Sequence, residues 1–101
     1  MNAHELPGPG GTITITPAAL TQIVVRAAER AEGARVRRPR RGLEIAVENG
    51  HVRVELELAA RFGLVLPDLA REVQERVNGA LGGMCGLVVD AVDVSVEELE
   101  N

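Results

Sequence analysis

Residues 43–56 read Leu43-Glu44-Ile45-Ala46-Val47-Glu48-Asn49-Gly50-His51-Val52-Arg53-Val54-Glu55-Leu56. Two runs of alternating apolar and polar residues flank Asn49-Gly50, the dipeptide that suits a type I′ turn because both residues tolerate positive φ. Closing that two-residue loop pairs Val47 with Val52, Ile45 with Val54 and Leu43 with Leu56, all on one face. The other face then pairs Glu48 with His51, Ala46 with Arg53 and Glu44 with Glu55. A one-residue slip would put every valine into water, so this register is strongly specified. The like-charged Glu44–Glu55 pair is unfavourable by a few tenths of a kcal/mol, on the order of 0.2–1, with Arg53 diagonal to Glu44 as an offset.

Working outward, Thr12-Ile13-Thr14-Ile15-Thr16 alternates as a short strand. Thr16-Pro17 then starts a helix, Thr as an N-cap and Pro in the first turn. Leu20, Ile23, Val24, Ala27 and Ala31 trace its apolar stripe, and Glu32-Gly33 closes it, with Gly33 free to turn left-handed. Residues 34–38 make a short strand through Val36 that Pro39 breaks. Beyond the hairpin, 57–60 extend its second strand and Arg61-Phe62-Gly63 end it. Leu66, Leu69, Ala70, Val73, Val77, Ala80 and Leu81 mark a second amphipathic helix whose last turn Gly79, Gly82 and Gly83 weaken. Residues 87–96 form the last strand. Leu87 and Val89 are out of phase with Val92, Val94 and Val96, which a bulge near Asp90-Ala91 repairs.

The resulting fold class is α+β: a two-layer domain with an antiparallel or mixed sheet and two amphipathic helices on one face. One core is expected, built from Leu20, Ile23, Val24, Ala27, Ile45, Val47, Val52, Val54, Leu56, Leu69, Val73, Val77, Val92 and Val94. Residues 1–10, with two prolines and two glycines, read as a flexible lead-in, 11–96 as a single domain and 97–101 as a loose acidic tail. The start lacks the basic and apolar regions of a signal peptide, and no apolar run reaches the ~20 residues of a membrane-spanning helix.

The 101 residues hold 11 Arg, no Lys, 12 Glu and 3 Asp, for a net charge of −4. Absence of lysine removes Schiff-base chemistry and a P-loop lysine. Phe62 is the only aromatic residue, so the stacking platforms of single-strand binders are missing. One cysteine permits no internal disulfide. Charge is unevenly spread: +5 over 35–41, −3 over 44–57 and −5 over 90–101.

Few residues invite catalysis. Cys85 and Ser95 are the only Cys and Ser, and His4 and His51 the only histidines; no histidine lies within sequence reach of Cys85, and nothing beyond its residue type recommends Ser95. Cys85 reads as a small buried thiol and Ser95 as an outward strand residue. The two histidines and Cys85 lack metal-ligand spacing, and Asp90 with Asp93 are too few for a hard cation. No catalytic residue, cofactor or metal is assigned. Gly83-Met84-Cys85-Gly86 has the G-x-x-G form of the KH backbone clamp, yet it carries no basic residue and joins a helix to a strand, which makes it a helix stop. The remaining candidate surface is Arg35, Arg37, Arg38, Arg40 and Arg41, which suits an acidic protein or membrane surface, or phosphates in a small KH-like nucleic-acid-binding module. Acidic surface so close repels a polyanion as fast as the segment attracts it, so nucleic acid is the lesser reading.

Gly11-Thr12-Ile13-Thr14-Ile15, the hairpin, Phe62-Gly63, Pro67, Val73-Gln74, Val77, and Gly86-Leu87 with Val89, Val92-Asp93-Val94 and Val96 together resemble the alkaline shock protein family of cell-envelope stress response proteins. The resemblance covers roughly residues 11–96. It implies a non-enzymatic bacterial cytoplasmic protein of envelope homeostasis, one that self-associates or docks on a membrane-anchored protein partner. It brings no catalytic residues. The arginine-rich 35–41 segment departs from the family pattern.

Overall fold

The hairpin forms in the register the alternation dictates. Strand β4 (Leu43–Glu48) pairs antiparallel with β5 (His51–Arg61), matching Val47 to Val52, Ile45 to Val54 and Leu43 to Leu56. Asn49 (φ 51°) and Gly50 (φ 78°) take the two positive-φ positions of the turn. The computed structural model describes residues 4–37 and 43–100. The other elements are β1 (His4–Gly8), β2 (Gly11–Ile15), α1 (Pro17–Glu29), β3 (Ala34–Val36), α2 (Leu66–Gly79) with a π-helical turn at Ala80–Met84, and β6 (Val88–Glu100).

Strand β5 organises them. Along one edge it pairs β6 in parallel over its whole length; β4 and β3 therefore share its other edge end to end, both antiparallel. The parallel pair needs a crossover, which α2 supplies. The sheet is accordingly mixed, and its strict buried–exposed alternation through β4 and the first half of β5 places both helices on one face. Register shifts at Val52/Arg53 and Leu58/Ala59 interrupt the β5–β6 ladder. The first leaves Asp90 as the extra residue and brings Val92, Val94 and Val96 into phase with Val54, Leu56 and Leu58, the repair the sequence requires. The outer edge of β6 is blunted by Gln74, whose Nε2 donates to the Val92 carbonyl at 3.0 Å.

The core gathers Leu20, Val24, Val52, Val54, Leu58, Val73, Val77 and Leu81, none of them with exposed surface, and adds Val36, Leu43, Cys85, Leu87 and several alanines. Three expected members, Ile23, Val92 and Val94, are only half-buried and pack against its rim. Val92 and Val94 are so placed because β6 is an edge strand with a neighbour on one side only.

Several elements differ from the sequence reading. Residues 4–8 are strand rather than lead-in: β1 pairs β2 across the Pro9-Gly10 loop, forming a separate two-stranded sheet, so the Thr/Ile strand does not join the main sheet. The backbone of β6 stays in strand to Glu100, matching Ala59 to Glu98 and Arg61 to Glu100, because β5 is long enough to continue the ladder. Helix α1 stops at Glu29, and the N–H groups of Arg30, Ala31 and Ala34 each return to a carbonyl three residues back. Gly33 then takes the left-handed conformation (φ 87°), where a Cβ would strike Leu64 Cδ1. The glycine-weakened end of α2 widens into the π-helical turn instead of fraying, held by buried Leu81 and Cys85 and by the Leu87 N–H donating to Leu81 O at 3.1 Å.

Leu58→Ala should lower the unfolding free energy by about 2–5 kcal/mol, whereas Phe62→Ala, at a side chain 66% exposed, should change it by less than ~0.5 kcal/mol. Urea unfolding of both variants checks the placement; equal losses would contradict it.

Candidate functional site

The arginine segment enters the structure through β3. Arg35 stands opposite Ala59 of β5, and the Arg37 N–H donates to Glu57 O at 3.0 Å, so the start of the segment is tied to the central strand. Arg38, Arg40 and Arg41 lie outside the described residues. The remaining chemical candidates are dispersed. His4 sits in β1, Ser95 is exposed on β6, and Cys85 is buried after the π-helical turn. Among the described residues no group of three or more His, Cys, Asp or Glu is placed to hold a metal ion. Gly83-Met84-Cys85-Gly86 leads from the π-helical turn toward β6, not into a second helix. One contact links residues that the sequence leaves apart: the bulge at Asp90 sets its Oδ1 2.9 Å from His51 Nδ1. Both side chains are about half exposed, so the pair contributes little.

Two surfaces do gather charge. On the sheet face away from the helices, Glu44, Glu55 and Asp93 stand side by side across three strands. Glu57 borders the same shallow concavity of about 390 Å3. The sequence shows the Glu44–Glu55 pair, but Asp93 joins it only through the parallel β6. Like charges in direct register repel, and Arg53 forms no ion pair among the described residues. The acidic row therefore faces water without the close offset expected of Arg53.

On the opposite side, α1 and the end of α2 enclose a groove of about 760 Å3. Ile23, Ala27, Ala80 and Met84 give it an apolar lining, and Met84 is 72% exposed. Arg26 and Arg30, one helical turn apart on α1, and Arg76 on α2 line the rest with Glu29. Arg76 Nε donates to Glu72 Oε2 at 2.8 Å, and Glu29 Oε2 accepts from the Val36 N–H at 3.0 Å. Neither Arg26 nor Arg30 forms an ion pair among the described residues. The helical pattern places each arginine on a polar side; that three converge depends on how the helices pack, which periodicity does not specify.

The alkaline shock protein 23 family, described by a cell envelope-related function, matches residues 5–101. The comparison with curated proteins gives no match. Among solved structures, a variant of MamM CTD in a cadmium form is similar at TM-score 0.58 and 25% identity, covering 82% of this chain and 96% of that one. A copper form of another MamM CTD variant gives 0.58 and 24%, over 82% and 98%. A third variant gives 0.59 and 24%, over 83% and 95%. These likenesses establish the α+β architecture.

Cys85 is the candidate whose chemistry the fold alters. Its side chain is 1% exposed, and desolvation raises the thiol pKa, since burial disfavours the thiolate. The native protein should therefore resist mild alkylation at neutral pH and label fully once unfolded in urea. The folded state holds this proton more tightly than the unfolded state. Its stabilising contribution is thus complete below the unfolded thiol pKa and declines as pH rises through the folded one. Cys85→Ala should lack that alkaline component in urea titrations, and fast native labelling at pH 7 would contradict the assignment.

Proposed function

The chain belongs to the alkaline shock protein 23 family, which has a cell envelope-related function, and from that premise we propose that it is a non-enzymatic, cytoplasmic protein of envelope stress response and homeostasis. It acts through protein–protein contacts, with a membrane-anchored partner and with its own copies. The observation that carries this reading is the family match over 5–101, which spans nearly all of the chain. Charge segregation supports it: a carboxylate row on one face of the sheet and arginines across the helices supply opposite signs on opposite sides of one domain. Contacts between such faces are heterologous and propagate into chains unless rotation closes them.

The helices of the described residues are too short or too polar to cross a membrane, and we assign the link to the envelope to the anchored partner. Arg35, Arg37, Arg38, Arg40 and Arg41 form part of the proposed contact surface, presenting cations to an acidic protein. Each exposed pair contributes ~0.2–1 kcal/mol, so several act together, and salt weakens them as the screening length shortens from about 10 Å at 0.1 M to 3 Å at 1 M.

Affinity capture of the tagged protein from its own cells, read by mass spectrometry, should recover envelope or membrane-anchored proteins. Recovery of RNA and ribosomal proteins alone would overturn the reading in favour of nucleic acid. Light scattering across a salt series should show assemblies at low salt that dissociate toward 1 M. A protein that stays monomeric at high concentration and low salt would end the self-association part.

A further inference from the structure

We propose that the helical surface around the α1–α2 groove docks on the open sheet face of a second copy of this chain, an inference that rests on the self-association proposed above. In this contact Arg26 and Arg30 of one molecule meet Glu44, Glu55 and Asp93 of the next. Both surfaces carry charge that their own molecule leaves unanswered. Arg26 and Arg30 are exposed and form no ion pair among the described residues, and the same holds for Glu44, Glu55 and Asp93. The groove opens on the helical side, whereas the carboxylates project from the opposite face of the sheet. The two sets therefore cannot meet within one chain, and a second copy supplies what each lacks.

The spacings of the two sets agree. Residues four apart on a helix stand about 5–6 Å from each other at Cβ, and neighbouring strands lie about 4.8 Å apart. With α1 laid across the strands, Arg26 and Arg30 fall over adjacent members of the acidic row, where each guanidinium fork can take a carboxylate. Three carboxylates in direct register repel one another, so cations brought to them also relieve that repulsion. The neighbouring row is Ala46, Arg53 and Ala91, and its two alanines leave room for the flexible side chain of Met84, 72% exposed beside the groove. Each surface also carries a charge of the other sign, Arg53 on the sheet and Glu29 in the groove, so the exceptions are complementary too. A polyanion is a poorer occupant of the groove, because Glu29 repels it and the apolar lining offers phosphates nothing. A metal ion is a poorer occupant of the row, since among the described residues no three such groups are placed to hold one. Helical side on sheet face is a head-to-tail contact, so each molecule offers one donor and one acceptor surface.

The test uses two full-length variants and sedimentation velocity at low salt. Arg26→Gln with Arg30→Gln neutralises the helical side; Glu44→Gln with Glu55→Gln and Asp93→Asn neutralises the sheet face. Thermal unfolding checks that both remain folded, and the sheet variant should unfold no earlier than wild type because its like charges are gone. Each variant alone should associate about tenfold more weakly or worse, as expected when several opposite charges are removed from a contact. Mixed, they should form a dimer and stop there, because only one intact helical side and one intact sheet face remain per pair. Wild-type assembly that neither variant weakens would overturn the pairing of these surfaces and leave the self-association reading standing. Weakening by one variant alone, with the other assembling as wild type, would overturn it likewise, since a contact between the two surfaces needs both. A wild type that is monomeric throughout would overturn both readings.

Discussion

The main sheet and the two helices packed on it are referred to one strand. Along β5, Val52, Val54, Leu56 and Leu58 are 0–2% exposed, and hydrogen-bonded neighbours occupy both of its edges. The helices can bury their apolar stripes only against that face, and the period of two fixes which side chains reach them. An isolated hairpin of this size would be marginal in water. What turns it into a domain is β6, added in parallel through the α2 crossover.

The same arrangement assigns the charges to sides. Residues that alternate with the core valines must point away from the helices, so Glu44, Glu55 and Asp93 fall into one row by register alone. The helices turn their valines to the sheet and bring Arg26, Arg30 and Arg76 to a shared groove. Burial organises the interior, and the polar remainder becomes two surfaces of different character. The sequence contains no aromatic platform for bases, and its one thiol is held neutral by burial.

The parts of the structure legible in the sequence are those in which local pattern and tertiary burial agree. Asn49-Gly50, the alternation on either side and the phase change at Asp90 each follow from a period of two, and the structure contains all three. Thr16 caps α1 as its position before Pro17 implies, accepting from the Ala19 N–H at 3.2 Å. Elements whose pairing or burial the local pattern does not specify were not legible. Proline and glycine in 7–10 signal a loop, and one exists at Pro9-Gly10, but the strand before it depends on pairing with β2. Glycines 79, 82 and 83 signal weakness, while the π-helical turn depends on the burial of Leu81 and Cys85 four residues apart. The groove was the least legible feature, since it belongs to two helices and to neither alone.

The proposed self-association, in which copies meet through opposite charges on the helical side and the sheet face, is addressed residue by residue by amide chemical shifts recorded on serial dilution of the 15N-labelled protein at low salt. Such contacts give concentration-dependent shifts at Arg26, Arg30, Ala80 and Met84 on the helical side and at Glu44, Glu55 and Asp93 on the sheet face, with the amides of the buried Val54 and Leu58 constant. Shifts confined to the exposed sheet face, or a spectrum unchanged across the dilution, would contradict it.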